Sequence, residues 1–227
     1  MGAISLLILY IAVPTPATKN LIREPFTVCL QTVFKEANLW KLNFGIFCLH
    51  AILTASFVAI PILLADQLHI PSQHQWYIYL GVLIVSFVLM MAFISIGERR
   101  GYYRGLQLGA IGGLVLAELL LWALPTSLFS LLICMTLFFT AFNLLEASLP
   151  SLVSKLVPME RRGMAMGVYS SCQFLGIFAG GSLAGWVFGM WKMDGVLLLA
   201  AGIGCIWLLA ALWMPAVKQD NEQKLTQ

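Results

Sequence analysis

Charged side chains are scarce here: Asp, Glu, Lys and Arg make up 10% of 227 residues, where an ordinary soluble domain carries about 25%. With 60% of the residues hydrophobic, too little polar surface remains to cover a water-soluble fold, and that class is excluded. The cations barely outnumber the anions, 13 against 10, and they are dispersed, which excludes a nucleic-acid partner. Cysteine is sparse and odd in number, five residues without a CxxC spacing. Cys48, Cys134, Cys172 and Cys205 lie in apolar runs and read as small core residues rather than a disulfide framework, zinc site or haem attachment. The sequence also lacks HExxH, a phosphate-cradling glycine loop, a catalytic triad and any metal-spaced cluster. An enzyme is therefore not expected, nor a metal or cofactor.

What abounds is apolar helix, so the expected partner is the lipid bilayer. A hydrocarbon core about 30 Å thick takes about 20 helical residues, because the backbone must satisfy its own hydrogen bonds there. Six stretches meet that length, at 42–65, 77–96, 106–124, 128–149, 164–190 and 196–214, and His50, Glu118 and Glu146 are the only acids, bases or imidazoles inside them. The expected class is an all-α membrane protein, a six-helix transmembrane bundle. A seventh run, 2–13, is too short to span, has no Lys or Arg ahead of it and no small-residue cleavage site before Pro14. It reads as the end of a truncated span rather than a signal peptide.

Short loops rich in Lys and Arg stay in the cytoplasm. Every cation except Lys192 falls on one side of the alternating crossings: Lys19 to Lys41, Arg99 to Arg104, Lys155 to Arg162, and Lys218 and Lys224. The C-terminus is thereby expected in the cytoplasm. Aromatic residues suited to the interface mark both edges, Trp76, Tyr77, Trp122 and Trp191 outside and Trp40, Tyr102, Tyr103 and Trp213 inside. Segment 15–41 reads as a cytoplasmic connection whose second half, from Phe26 to Trp40, forms a helix on the inner surface. The polar residues of 216–227 read as a disordered tail.

Residues 150–189 carry the densest pattern. Pro158 precedes a helix whose first turn holds Glu160, favourable at the positive end of the helix dipole, with Arg161 and Arg162 in reach of lipid phosphates. Gly181, Gly185 and Gly189 recur every fourth residue, which predicts one face for close approach of a neighbouring helix. Between the second and third full spans stands Glu98-Arg99-Arg100-Gly101-Tyr102-Tyr103-Arg104.

Residues 143–189, from Asn-Leu-Leu-Glu-Ala through Gly-Val-Tyr-Ser-Ser-Cys-Gln-Phe-Leu-Gly to the glycine stripe, resemble spans ten and eleven of a major facilitator superfamily transporter, closest to the YajR-type members of its drug:proton antiporter branch. The Glu98, Arg99, Gly101, Arg104 core is similar to the superfamily's short cytoplasmic loop signature, with departures at Ile94, Tyr102 and Tyr103. The resemblance implies that 1–14 ends span six, 15–41 is the central loop, and 42–215 holds spans seven to twelve of a twelve-span fold. It further implies a secondary active transporter half in a bacterial inner membrane. That half would export a small amphipathic compound by proton-coupled alternating access, together with a missing N-terminal half or a second copy. The alternative is a non-transporting membrane scaffold, or a half-transporter acting only with a partner.

Ionisable groups inside a membrane are costly and are functional candidates. Glu146, with Asn143 and Phe139 on its face, lines the central cavity if the resemblance holds; the competing reading makes it a structural partner for the start of the next span. His50 with Thr54 one turn on, and Tyr169 with Gln173 one turn on, are the further candidates for a substrate or proton pathway, each against a simple packing role. Glu118 lies on a peripheral helix in such a fold, and a neighbouring helix or the outward interface is its expected destination.

Overall fold

A computed structural model describes residues 36–100, 102–124 and 127–213, with the backbone alone at 98–100. The expected stub at 1–14, most of the 15–41 connection, the tail at 216–227 and the side chains of Glu98 and Arg99, with Gly101, lie outside the described residues. Within them all six expected spans form: α1 Ala37–Ile62, α2 Ser72–Arg100, α3 Tyr103–Ala123, α4 Leu128–Leu156, and a helical stretch Arg162–Trp213 that Lys192 divides into α5 (162–191) and α6 (193–213). The chain is an all-α multi-pass membrane protein. Helix α1 begins at Ala37, with Glu36 as its N-cap, so Leu39 and Trp40 belong to the first full span and not to a separate surface helix.

Each helix end has a local cause. Pro61 has no N–H to give, and its ring crowds the carbonyl one turn back. The last turn of α1 accordingly widens into a π-turn over Leu63–Gln67, in which the Leu68 amide donates to the Leu63 carbonyl at 3.3 Å. Gln75, at the start of α2, reaches across and donates to the carbonyls of Pro61 (3.1 Å) and Ile70 (3.3 Å). Helix α4 opens with a reciprocal cap: the Ser130 amide donates to Ser127 Oγ and the Ser127 amide to Ser130 Oγ. Lys192 takes φ 52° and ψ −144°, and this one residue turns α5 into α6.

Helix α1 is the hub, with Ile46, Leu49, Ala55, Ala59 and Ile60 wholly buried. It lies against α5 and α6, α3 packs on α4 and α6, and α2 rests on α4 with most of its surface exposed. Lipid is as apolar as leucine, so close packing and hydrogen bonds hold such helices together. The closest approach is between α1 and α5, at Gly176 and Gly180. A Cβ at Gly176 would collide with the Phe47 carbonyl, and one at Gly180 with the Ala51 carbonyl.

The glycine stripe expected at Gly181, Gly185 and Gly189 is not the set that seats closely against α1. At Gly185 and Gly189 a Cβ would meet nothing within 4 Å, and at Gly181 only the Thr54 methyl, at 3.2 Å. One residue is about 100° of helix rotation. The face that meets α1 runs through Gly176, Gly180, Ala184 and Val187, all buried; of the every-fourth-residue set beside it, Gly181 borders α1 at Thr54, and Gly185 and Gly189 face open space among the described residues.

Candidate functional site

Three helices bring polar side chains together part-way through the bundle. On α1, Asn43, His50, Thr54 and Phe57 follow one another at helical spacing on one face; on α4, Phe139, Phe142, Asn143 and Glu146 do the same, and on α5, Tyr169, Gln173 and Gly176. His50 is 5% exposed and stands where the three faces meet. Its Nδ1 is 3.3 Å from the Ile46 carbonyl of its own helix. Its Nε2 is 2.8 Å from Gln173 Nε2 on α5 and 3.8 Å from Glu146 Oε2 on α4. The Phe142 ring meets the imidazole edge-on at 5.7 Å.

The Glu146 side chain is 37% exposed, and its Oε2 accepts no hydrogen bond among the described residues. The structural alternative for this residue, a bond to the start of α5, does not form among the described residues, and its Oε2 lies 3.8 Å from His50 Nε2. Tyr169 is buried with its hydroxyl unpartnered among the described residues, as is the Asn43 side-chain oxygen. Asn143 is half-buried one turn from Glu146, and no hydrogen bond joins them. The Thr54 hydroxyl donates back to the His50 carbonyl at 2.7 Å, so its methyl rather than its oxygen faces α5.

Beyond His50 the wall turns aromatic. Phe57 stacks on Tyr79 of α2 at 5.7 Å and meets Phe139 edge-on at 6.1 Å, while Phe138 packs on both Phe139 and Phe142. Sequence reasoning missed Phe57 and Tyr79. The spacing His50, Thr54, Phe57 was the available signal for the first; Tyr79 carried none, because only tertiary packing brings α2 alongside.

The other ionisable groups lie elsewhere. Glu118 on α3 is fully buried and bonds the Ser56 hydroxyl of α1, taking the neighbouring-helix destination instead of the interface. Ser56 has one hydroxyl hydrogen and two acceptors in reach, the other being the Ile52 carbonyl at 2.7 Å. The second Glu118 oxygen has no partner among the described residues. Arg104, the one member of the loop signature whose side chain is described, donates to the Leu212 carbonyl near the end of α6 at 3.4 Å.

Known proteins give this arrangement a context. A family model for the Major Facilitator Superfamily matches residues 1–181 and again 42–227. The inner membrane transport protein YajR of Escherichia coli (strain K12) is 42% identical over 204 residues, which is 89% of this chain and 45% of that protein. The uncharacterized transporter BU466 of Buchnera aphidicola subsp. Acyrthosiphon pisum is 31% identical over 62% of this chain and 36% of its own length. A further uncharacterized transporter, from Buchnera aphidicola subsp. Baizongia pistaciae, is 27% identical over 77% of this chain and 44% of its own. The chain spans under half the length of these curated relatives. Six apolar crossings, the family match over both overlapping stretches and the identity to YajR agree: the chain belongs to the Major Facilitator Superfamily.

Proposed function

We propose that this chain forms one six-helix body of a secondary transporter in a bacterial inner membrane, moving a small amphipathic compound outward in exchange for protons by alternating access. The observation that carries the reading is the meeting of an imidazole, a carboxylate and an amide from three helices at one partly exposed place inside a largely apolar bundle. Groups so costly to bury are retained where they handle ions or polar solutes. In this reading Glu146 and His50 form the proton-exchanging pair, Gln173, Asn143 and Tyr169 offer hydrogen bonds to solute, and Phe57, Phe139 and Phe142 supply the apolar wall beside them.

A transporter of this kind places its solute between two bodies that rock against each other. The exposed apolar faces of α2 and α5, with Phe87, Val88, Phe174 and Phe178 outward, support a second six-helix body beside 42–215. That body is an N-terminal half or a second copy of this chain. The cation distribution supports a cytoplasmic C-terminus, and a cysteine placed at Arg161 is then labelled by an impermeant reagent only from the cytoplasmic side.

The test is flux. Protein reconstituted in vesicles with its partner body should move solute in response to an imposed proton gradient, with a pH dependence that Glu146→Gln removes. An unaltered pH profile in that variant would make Glu146 a helix-packing carboxylate and end the proton-exchange reading.

A further inference from the structure

The Nε2 atom of His50 has two possible partners and can satisfy them only one at a time. A carbonyl can only accept, so the Nδ1 contact with the Ile46 carbonyl places a hydrogen on Nδ1. In a neutral imidazole the other nitrogen is then an acceptor, and the Gln173 amide nitrogen 2.8 Å away is a donor suited to it. Glu146 Oε2 stands 3.8 Å from the same atom, beyond hydrogen-bond reach, with no other partner among the described residues.

A proton on Nε2 reverses these preferences. The nitrogen becomes a donor facing an amide that also donates, while an unpartnered carboxylate oxygen waits about an ångström too far away. We propose that Gln173 and Glu146 are alternative partners of this one nitrogen, so that a proton arriving on it transfers His50's cross-helix bond from α5 to α4. The proton comes from water on the partly exposed Glu146 side, and within the coupled pair it forms either an N–H bond on the imidazole or an O–H bond on the carboxyl, with no heavy-atom bond made or broken.

Packing decides which helix responds. On the α5 side, Gly176 and Gly180 seat against the Phe47 and Ala51 carbonyls of α1, flanking His50 in sequence, so α1 and α5 act as one piece. Glu146 sits on a helix that meets α1 less intimately, and drawing its carboxylate inward is the easier motion. The other titratable groups around His50 are Tyr169 and Cys172 on α5, Cys48 on α1, and Glu118 on α3 with Cys134 of α4 beside it. Glu118 reaches α1 through Ser56, and none of these lies within bonding distance of Nε2.

The inference rests on the proposed role of this site, and its test is independent of transport. The chain has three histidines, and His69→Asn with His74→Gln leaves His50 alone; Asn suits the positive φ of 54° at position 69. Nitrogen NMR of histidine-labelled protein in lipid nanodiscs then reads the ring directly. At high pH we expect the neutral tautomer with hydrogen on Nδ1, an observation that needs no change at the site. Losing an accepted hydrogen bond in Gln173→Leu should move the titration to higher pH by roughly half to one unit, and Glu146→Gln should move it lower. A neutral ring carrying hydrogen on Nε2, or Gln173→Leu moving the titration downward because the amide turns its oxygen to the ring, would overturn the hand-over. A pH profile of flux left unaltered by Glu146→Gln, with the expected tautomer, would instead remove the transport role and leave the hand-over standing.

Discussion

Two carboxyl groups lie inside this membrane bundle, and their surroundings differ in the respect that matters for function. Glu118 is fully enclosed between α3 and α1, and the one side-chain group bonded to it among the described residues is the Ser56 hydroxyl. Glu146 is about one-third exposed, unbonded, and faces an imidazole that already has another partner. A charge sealed into low dielectric cannot be renewed from water, whereas a charge at a half-open edge with exchangeable partners can gain and lose a proton within a cycle. The comparison teaches that a buried acid is informative through its access and its alternatives, and burial alone separates neither role.

The comparison breaks first on flux. Glu146→Gln should abolish proton-driven transport while leaving insertion intact, and Glu118→Gln, which keeps an acceptor for Ser56, should transport nearly normally; equal losses in the two would erase the distinction. Next comes stability at the α1–α5 contact that carries His50. Gly180→Val places a side chain against the Ala51 carbonyl and should cost at least ~1–3 kcal/mol, as overpacking does. Gly185→Val, where space is open, should leave the apparent melting temperature in detergent within a degree or two of the parent. Comparable drops would mean that both faces are packed.

A smaller effect is expected at the sealed carboxyl. Ser56→Ala removes the one hydrogen bond recorded for Glu118 and should cost about 1–3 kcal/mol, the usual range for orphaning a buried polar group, with the pH profile of flux unchanged. The smallest is expected at Thr54. Its hydroxyl serves only its own helix, so Thr54→Val keeps the methyl facing Gly181 and should alter melting by less than Ser56→Ala; a larger fall would show that the hydroxyl has a task that the His50 carbonyl does not explain.

Much of the architecture was legible in the sequence because the bilayer imposes a length and a polarity that hydropathy reads directly. The six crossings, a short connection between 190 and 196 and the segregation of cations required nothing else, although the connection proved to be Lys192 alone. Rotation of each helix about its axis was not legible. Helix α1 carries only Asn43, His50 and Thr54 as a polar stripe, which does not say which neighbour it meets, and the glycine spacing of α5 pointed to a set one residue, about 100°, away from Gly180, which with Gly176 seats against α1. The same limit applied at the site. His50, Glu146 and Gln173 stood out as polar residues in apolar runs, but that one imidazole nitrogen faces both of the others follows only from how the helices are turned.

The turn at Lys192 has a consequence for how the protein enters the membrane. One non-helical residue joins α5 to α6, which leaves almost no polar chain to carry across the bilayer. The one cation of the turn stays within 5.7 Å of the Phe188 ring, a contact that offsets part of its desolvation. Two spans linked so tightly would enter the lipid together as a hairpin, the second drawn across by the first before either has met α1, so biogenesis should be more sensitive to lengthening this turn than to changing the residues around His50.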